Sequence, residues 1–100
     1  MANQKIKAVT PEEWDVCNDW NKMIIDEFLQ QQHLSDQTLK QYESGARIFA
    51  RFIKETAMNK PFHELKPRDA LKYQNYLLQI GLSPSAVKFK RSIVSTLCNY

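Results

Sequence analysis

Ser35-Asp36-Gln37-Thr38-Leu39-Lys40-Gln41-Tyr42-Glu43-Ser44-Gly45-Ala46-Arg47-Ile48-Phe49-Ala50-Arg51-Phe52-Ile53 is the stretch that decides the fold class. Leu39, Tyr42, Ala46, Phe49, Ala50 and Ile53 recur at helical spacing and form a core stripe. Ser35 has the chemistry of an N-cap, because its hydroxyl can accept an otherwise orphaned amide of the first turn. The spacing predicts a helix over about 36–57. Lys40, Arg47, Arg51 and Lys54 form a second stripe about a third of a turn away.

On the N-terminal side, Thr10-Pro11-Glu12-Glu13 combines a capping threonine, a proline at the first helical position and a glutamate that closes a capping box. The reading places a first helix over about 11–32, after a flexible tail over 1–10. Its apolar surface is wide: Trp14, Cys17, Ile24 and Phe28 form one row, with Val16, Trp20 and Met23 beside it. Asp15, Asp19, Asp26 and Glu12 share the opposite stripe. On the C-terminal side, residues 58–66 form the longest connection. Pro67 opens a third helix carrying Ala70, Tyr73, Leu77 and Ile80, and Gly81 is a natural left-handed stop. Ser83-Pro84 repeats the cap-plus-proline signal for a fourth helix. Ala86, Phe89, Ile93 and Leu97 line one of its faces, and Lys88, Arg91 and Ser95 the other. No segment alternates with period two. The expectation is all-α: a single-domain four-helix bundle over 11–100, with Tyr100 as a core or helix-end residue.

The 100 residues suffice for one domain. Two cysteines, Cys17 and Cys98, give no disulfide scaffold. Without a secretory signal or a long apolar run, the reading is a cytoplasmic protein with no membrane partner. His33 and His63 lie in loops, with no histidine or cysteine at ligand spacing, so no metal or other cofactor is expected. No nucleophile–base set or phosphate-cradling glycine loop is present, and the chain by itself is not expected to be an enzyme.

The net charge of +3 conceals an asymmetry. Residues 1–36 carry three bases against seven acids, whereas 37–100 carry eleven bases against four acids. No acid lies between 70 and 100. Cations release counterions from phosphates, and small hydroxyls and amides hydrogen-bond to phosphate oxygens. The second helix offers Thr38, Lys40, Gln41, Ser44, Arg47 and Arg51 for this, and the fourth offers Ser83, Ser85, Lys88, Arg91 and Ser95.

The order of these signals resembles the core-binding domain of tyrosine recombinases, the phage integrases. Leu34-Ser35-Asp36-Gln37-Thr38-Leu39-Lys40-Gln41-Tyr42 is similar to the family's leucine-serine-x-x-threonine-leucine-x-x-tyrosine opening of the second helix. Arg47-Ile48-Phe49-Ala50-Arg51-Phe52-Ile53 resembles the body of that helix. Leu65-Lys66-Pro67-Arg68-Asp69 resembles the leucine-threonine-x-x-aspartate start of the third helix, with Lys66 where threonine is common. Leu82-Ser83-Pro84-Ser85-Ala86-Val87-Lys88 resembles the start of the fourth, with Ala86-Val87 in place of the usual threonine. The resemblance spans about residues 12–100. It implies one arm of a clamp on double-stranded DNA, without the catalytic domain that carries the tyrosine nucleophile in full-length members. Thr38, Gln41, Ser83, Ser85, Lys88 and Arg91 are the contacts it implies; Lys40, Ser44, Arg47, Arg51 and Ser95 come from the stripes. The implied partners are DNA, the C-terminal catalytic domain of the same protein and other recombinase protomers. The acidic first helix would then face away from DNA. The alternative is a protein-interaction module docking through the apolar face of the first helix.

Overall fold

The computed structural model describes residues 8–31 and 33–98. Its elements are α1 (Pro11–Asp15), α2 (Asp19–Gln30), α3 (Asp36–Thr56), a 3₁₀ turn (Phe62–Glu64), α4 (Pro67–Gln79) and α5 (Pro84–Cys98). No strand occurs among the described residues. The expected role of Tyr100 lies outside them, as do residues 1–7 of the expected tail.

The starts and stops follow the side-chain chemistry. The Thr10 hydroxyl accepts from Glu13 N–H at 3.1 Å, and the Glu13 carboxylate accepts from Thr10 N–H at 3.0 Å, completing the box. Ser35 accepts from Thr38 N–H, and Ser83 from Ala86 N–H, each at 3.3 Å. At α4 only half a box forms. Asp69 accepts from the Lys66 N–H at 2.9 Å, while a lysine side chain has no acceptor to return. Gly81, at φ 93°, ends α4, and the Leu82 N–H reaches back to the Leu77 carbonyl.

The single first helix expected over 11–32 is corrected to two, so the α-helices among the described residues number five rather than four. Val16, Cys17 and Asn18 separate α1 from α2. Asn18 caps α2 by accepting from Trp20 N–H at 2.8 Å. Its backbone N–H donates to the Asn59 side-chain oxygen and its side-chain amide donates to the Asn59 carbonyl, both at 2.9 Å. Asn59 in turn donates to the Val16 carbonyl at 3.1 Å. Fully buried Asn21 donates to the Lys60 carbonyl at 2.9 Å and accepts from the Phe62 N–H at 2.7 Å. An amide clasp therefore replaces the missing helical bonds and ties the break to the loop after α3, where Met58 and Asn59 both adopt positive φ.

Side-chain pairings give the helix directions. Tyr42 stacks on Phe89 at 5.3 Å, a Cβ on Gly45 would lie 2.8 Å from Ile93 Cδ1, and Phe49 shares a cavity with Val94 and Cys98. Both series of numbers rise together, so α3 and α5 run parallel. Arg91 bonds to Gln74, while Val94 and Cys98 lie beside Pro67 and Ala70, so α4 runs antiparallel to α5. Phe28 meets Tyr42 while Asn21 meets Lys60, so α2 is antiparallel to α3. The result is an up-down-up-down bundle of α2–α5 with α1 laid against α3. Tyr73, Phe49 and Phe62 sit at its centre, each fully or almost fully buried.

Candidate nucleic-acid interface

Parallel packing of α3 and α5 brings their N-termini to the same end of the bundle. Each begins at a serine whose hydroxyl is already spent on one first-turn amide. The remaining first-turn N–H groups and the positive dipole ends of both helices face that end. The register set by Tyr42–Phe89 and Gly45–Ile93 aligns Thr38 with Ser85 and Ala86, and Gln41 with Lys88 and Phe89. Gln41, Ser83, Ser85 and Lys88 are exposed; Thr38 is half-buried, its hydroxyl 3.0 Å from that of Ser35. This end therefore collects small polar groups, two helix dipoles and the Lys88 cation.

The lateral stripes are not brought together. At 3.6 residues per turn, Arg47 lies roughly 160° round α3 from Gly45, and Lys88 roughly 140° round α5 from Ile93. Each stripe thus looks away from the α3–α5 contact. Arg51 pairs with Glu13 of α1 at 3.1 Å and also donates to the Ala8 carbonyl. Arg47 stands over the Trp14 ring, 4.7 Å from its centroid, and bonds to Glu43 at 3.1 Å. Both arginines are half-buried. Lys40 and Ser44 remain exposed on the outer side of α3. On α5, Arg91 turns toward α4 and bonds to Gln74; with Ser95 it lines a 380 Å³ cavity between α4 and α5.

Electrostatics follow the packing. The Thr10 N–H, and then Arg51, hold the Glu13 carboxyl below its ordinary value. Burial lowers the Lys90 ammonium, which is half-buried near the middle of α5. Burial also raises the thiols of Cys17 and Cys98, leaving them as protonated packing groups. Among the described residues no three histidine, cysteine or carboxylate side chains come together as a metal site, and no helix is long and apolar enough to cross a membrane.

Sequence reasoning missed the cover that α1 places on Arg47 and Arg51. The signal was present in Glu13 and Trp14, but their partners lie more than thirty positions away. It also treated Val16, Trp20 and Met23 as one flank of a continuous helix. Around the break these side chains stay 52%, 43% and 42% exposed, with His63 edge-on to Trp20 at 5.1 Å.

Residues 24–100 match the family described as the phage integrase N-terminal SAM-like domain. Over 96 residues, 96% of the chain, the sequence is 31% identical to the SPbeta prophage-derived recombinase-like protein YomM of Bacillus subtilis (strain 168). The chain spans 29% of that relative's length. No solved structure matches.

Proposed function

Because the chain belongs to the phage integrase N-terminal SAM-like family, we propose that it grips duplex DNA for a tyrosine recombinase whose strand-cutting chemistry resides in another domain. The observation that carries this reading is the parallel alignment of α3 and α5, which sets two serine-capped helix starts side by side. Phosphate oxygens accept from such free N–H groups, and from the exposed hydroxyls and amides of Ser83, Ser85 and Gln41, without the backbones being held apart. Thr38 sits beneath them and orients Ser35. Lys88 supplies the cation that releases counterions.

Lys40 and Ser44 extend the contact along the outer side of α3, and Arg91 and Ser95 along α5 toward α4. Arg47 and Arg51 act chiefly inside the protein, fixing α1 on α3, and so set the shape of the surface rather than touch DNA. Of the two acids in the first turn of α1, Glu13 is consumed by that pairing and by its own cap. The domain works with the catalytic domain of the same protein and with other protomers assembled on DNA, in the cytoplasm.

Fluorescence anisotropy with a labelled duplex tests the reading. The expected Kd is about 10⁻⁴–10⁻⁶ M at physiological salt, weakening steeply as salt rises. Affinity that is absent at low salt, or independent of salt, overturns it. The exposed Val16, Trp20 and Met23 flank favours a second reading, a protein-docking module. Concentration-dependent sedimentation without any DNA affinity would select that instead.

A further inference from the structure

The far end of the bundle carries a second concentration of positive charge that the DNA-gripping reading does not use. Lys60, Lys66, Arg68 and Lys72 line one open cleft of about 300 Å³ between the end of α3 and the start of α4. Lys66, Arg68 and Lys72 are exposed and Lys60 is half-buried. None of the four forms a salt bridge among the described residues. The one acid in the lining, Asp69, is buried and its carboxylate is occupied by the Lys66 backbone N–H. Lys66 also borders the cavity that Arg91 lines, so this belt of Lys60, Lys66, Arg68 and Lys72 meets the edge of the surface assigned to the first contact.

Helix stability does not explain this placement. Lys66 is the N-cap of α4 and Arg68 its second residue, at the positive end of the helix dipole, where cations are disfavoured. The only basic residue in the last turn of α3 is Lys54, which is not in the cleft. Four cations gathered against the local dipole, with the single carboxylate of Asp69 among them, leave a positive excess that an external anion would meet. The lining has no aromatic ring on which a base could stack, and its apolar members are only Ala57 and Met58. Such a surface suits a line of phosphates rather than an unpaired base or a peptide's apolar anchor.

We propose that this belt binds the phosphate backbone of a second duplex segment, without reading its sequence. Helix α5 has 15 residues, about 22 Å at 1.5 Å each, and separates this end from the Ser35–Ser83 end. A straight duplex lying on one end does not reach the other. With a duplex lying across the Ser35–Ser83 end, the domain would hold a second segment here, or one segment bent around it.

The test is a titration of the ¹⁵N-labelled 100-residue chain with a short duplex at low salt, read by amide shifts and stoichiometry. Two groups of amides are expected to move, one over 35–41 and 83–88, the other over 56–60 and 66–72, with more than one duplex bound per chain. A triple Lys60→Ala/Arg68→Ala/Lys72→Ala variant should keep the first group. It should lose the second, its second-site affinity falling at least about tenfold and the salt slope of that site by about 2–3. The triple glutamine variant, which retains the aliphatic stems, serves if the alanine variant loses its helical circular dichroism. Movement of the first group alone overturns the second site and leaves the gripping reading intact. Movement of the second group alone keeps this site and removes the α3–α5 end. Unchanged 56–72 shifts in the triple variant, or equal binding of polyglutamate, overturn the proposal.

Discussion

Helices α3 and α5 start from the same kind of serine cap, run in the same direction and carry cations at helical intervals, yet their cations meet different surroundings. On α3, Arg51 faces the Glu13 carboxylate and Arg47 lies over Trp14 with Glu43 alongside, so two of its four charges are neutralised or covered within the molecule. On α5, Lys88 stays in water, and Arg91 bonds to a neutral amide that leaves its charge uncompensated. A formal charge counted along a helix is therefore not the charge that helix presents. What it presents depends on which element lies over it, and here the short α1 covers α3 while nothing comparable covers the outer side of α5 among the described residues.

The strongest way to break the pair is at its contact. Gly45→Val should destabilise the fold by about 1–3 kcal/mol, because branched methyl groups would press on Ile93 where a single Cβ already lies within 2.8 Å. Duplex affinity should fall with it, since the two helix starts lose their alignment. Gly45→Ala should be far milder, because the obstructing atom is the mobile tip of Ile93 and alanine favours the helix by about 1 kcal/mol. Urea unfolding of both variants checks the difference; equal losses would mean that the contact is not what spaces the helices.

Next in size is the contrast between the cations themselves. Lys88→Ala should leave stability within about 0.5 kcal/mol and lower the salt slope of DNA binding by about 0.9. Arg47→Ala should do the reverse, costing about 0.5–1 kcal/mol of stability through the lost ring contact while the salt slope stays put. A salt slope lowered equally by both would show that α1 does not shield α3. The smallest effect is in pH. Glu13 has a lowered folded-state pKa, so its contribution is present above the ordinary glutamate value and is lost as pH falls through the folded value. Glu13→Gln should flatten that acid limb in pH-dependent unfolding, and an unchanged limb would count against both the Thr10 cap and the Arg51 pairing.

Local chemistry made much of the fold legible. The caps at Thr10, Ser35 and Ser83, the Gly81 stop and the apolar stripes of α3, α4 and α5 each depend on residues within a few positions. The break at Val16–Asn18 was not legible as a break, although Asn18-Asp19 is a cap signal in its own right. Its continuous apolar period argued for one helix, and the clasp that outweighs that period comes from Asn59 and Lys60, about forty positions on. The same distance hid the fate of Arg47 and Arg51. Parallel alignment of α3 and α5 was likewise invisible to periodicity, which finds a helix face but not its neighbour.

The most direct test of the account is which amides respond first to duplex DNA. At low salt, titration of the labelled chain should move residues 35–41 and 83–88, and those shifts should shrink steeply as salt is added. Shifts confined to α1 and α2, with the starts of α3 and α5 silent, would contradict it.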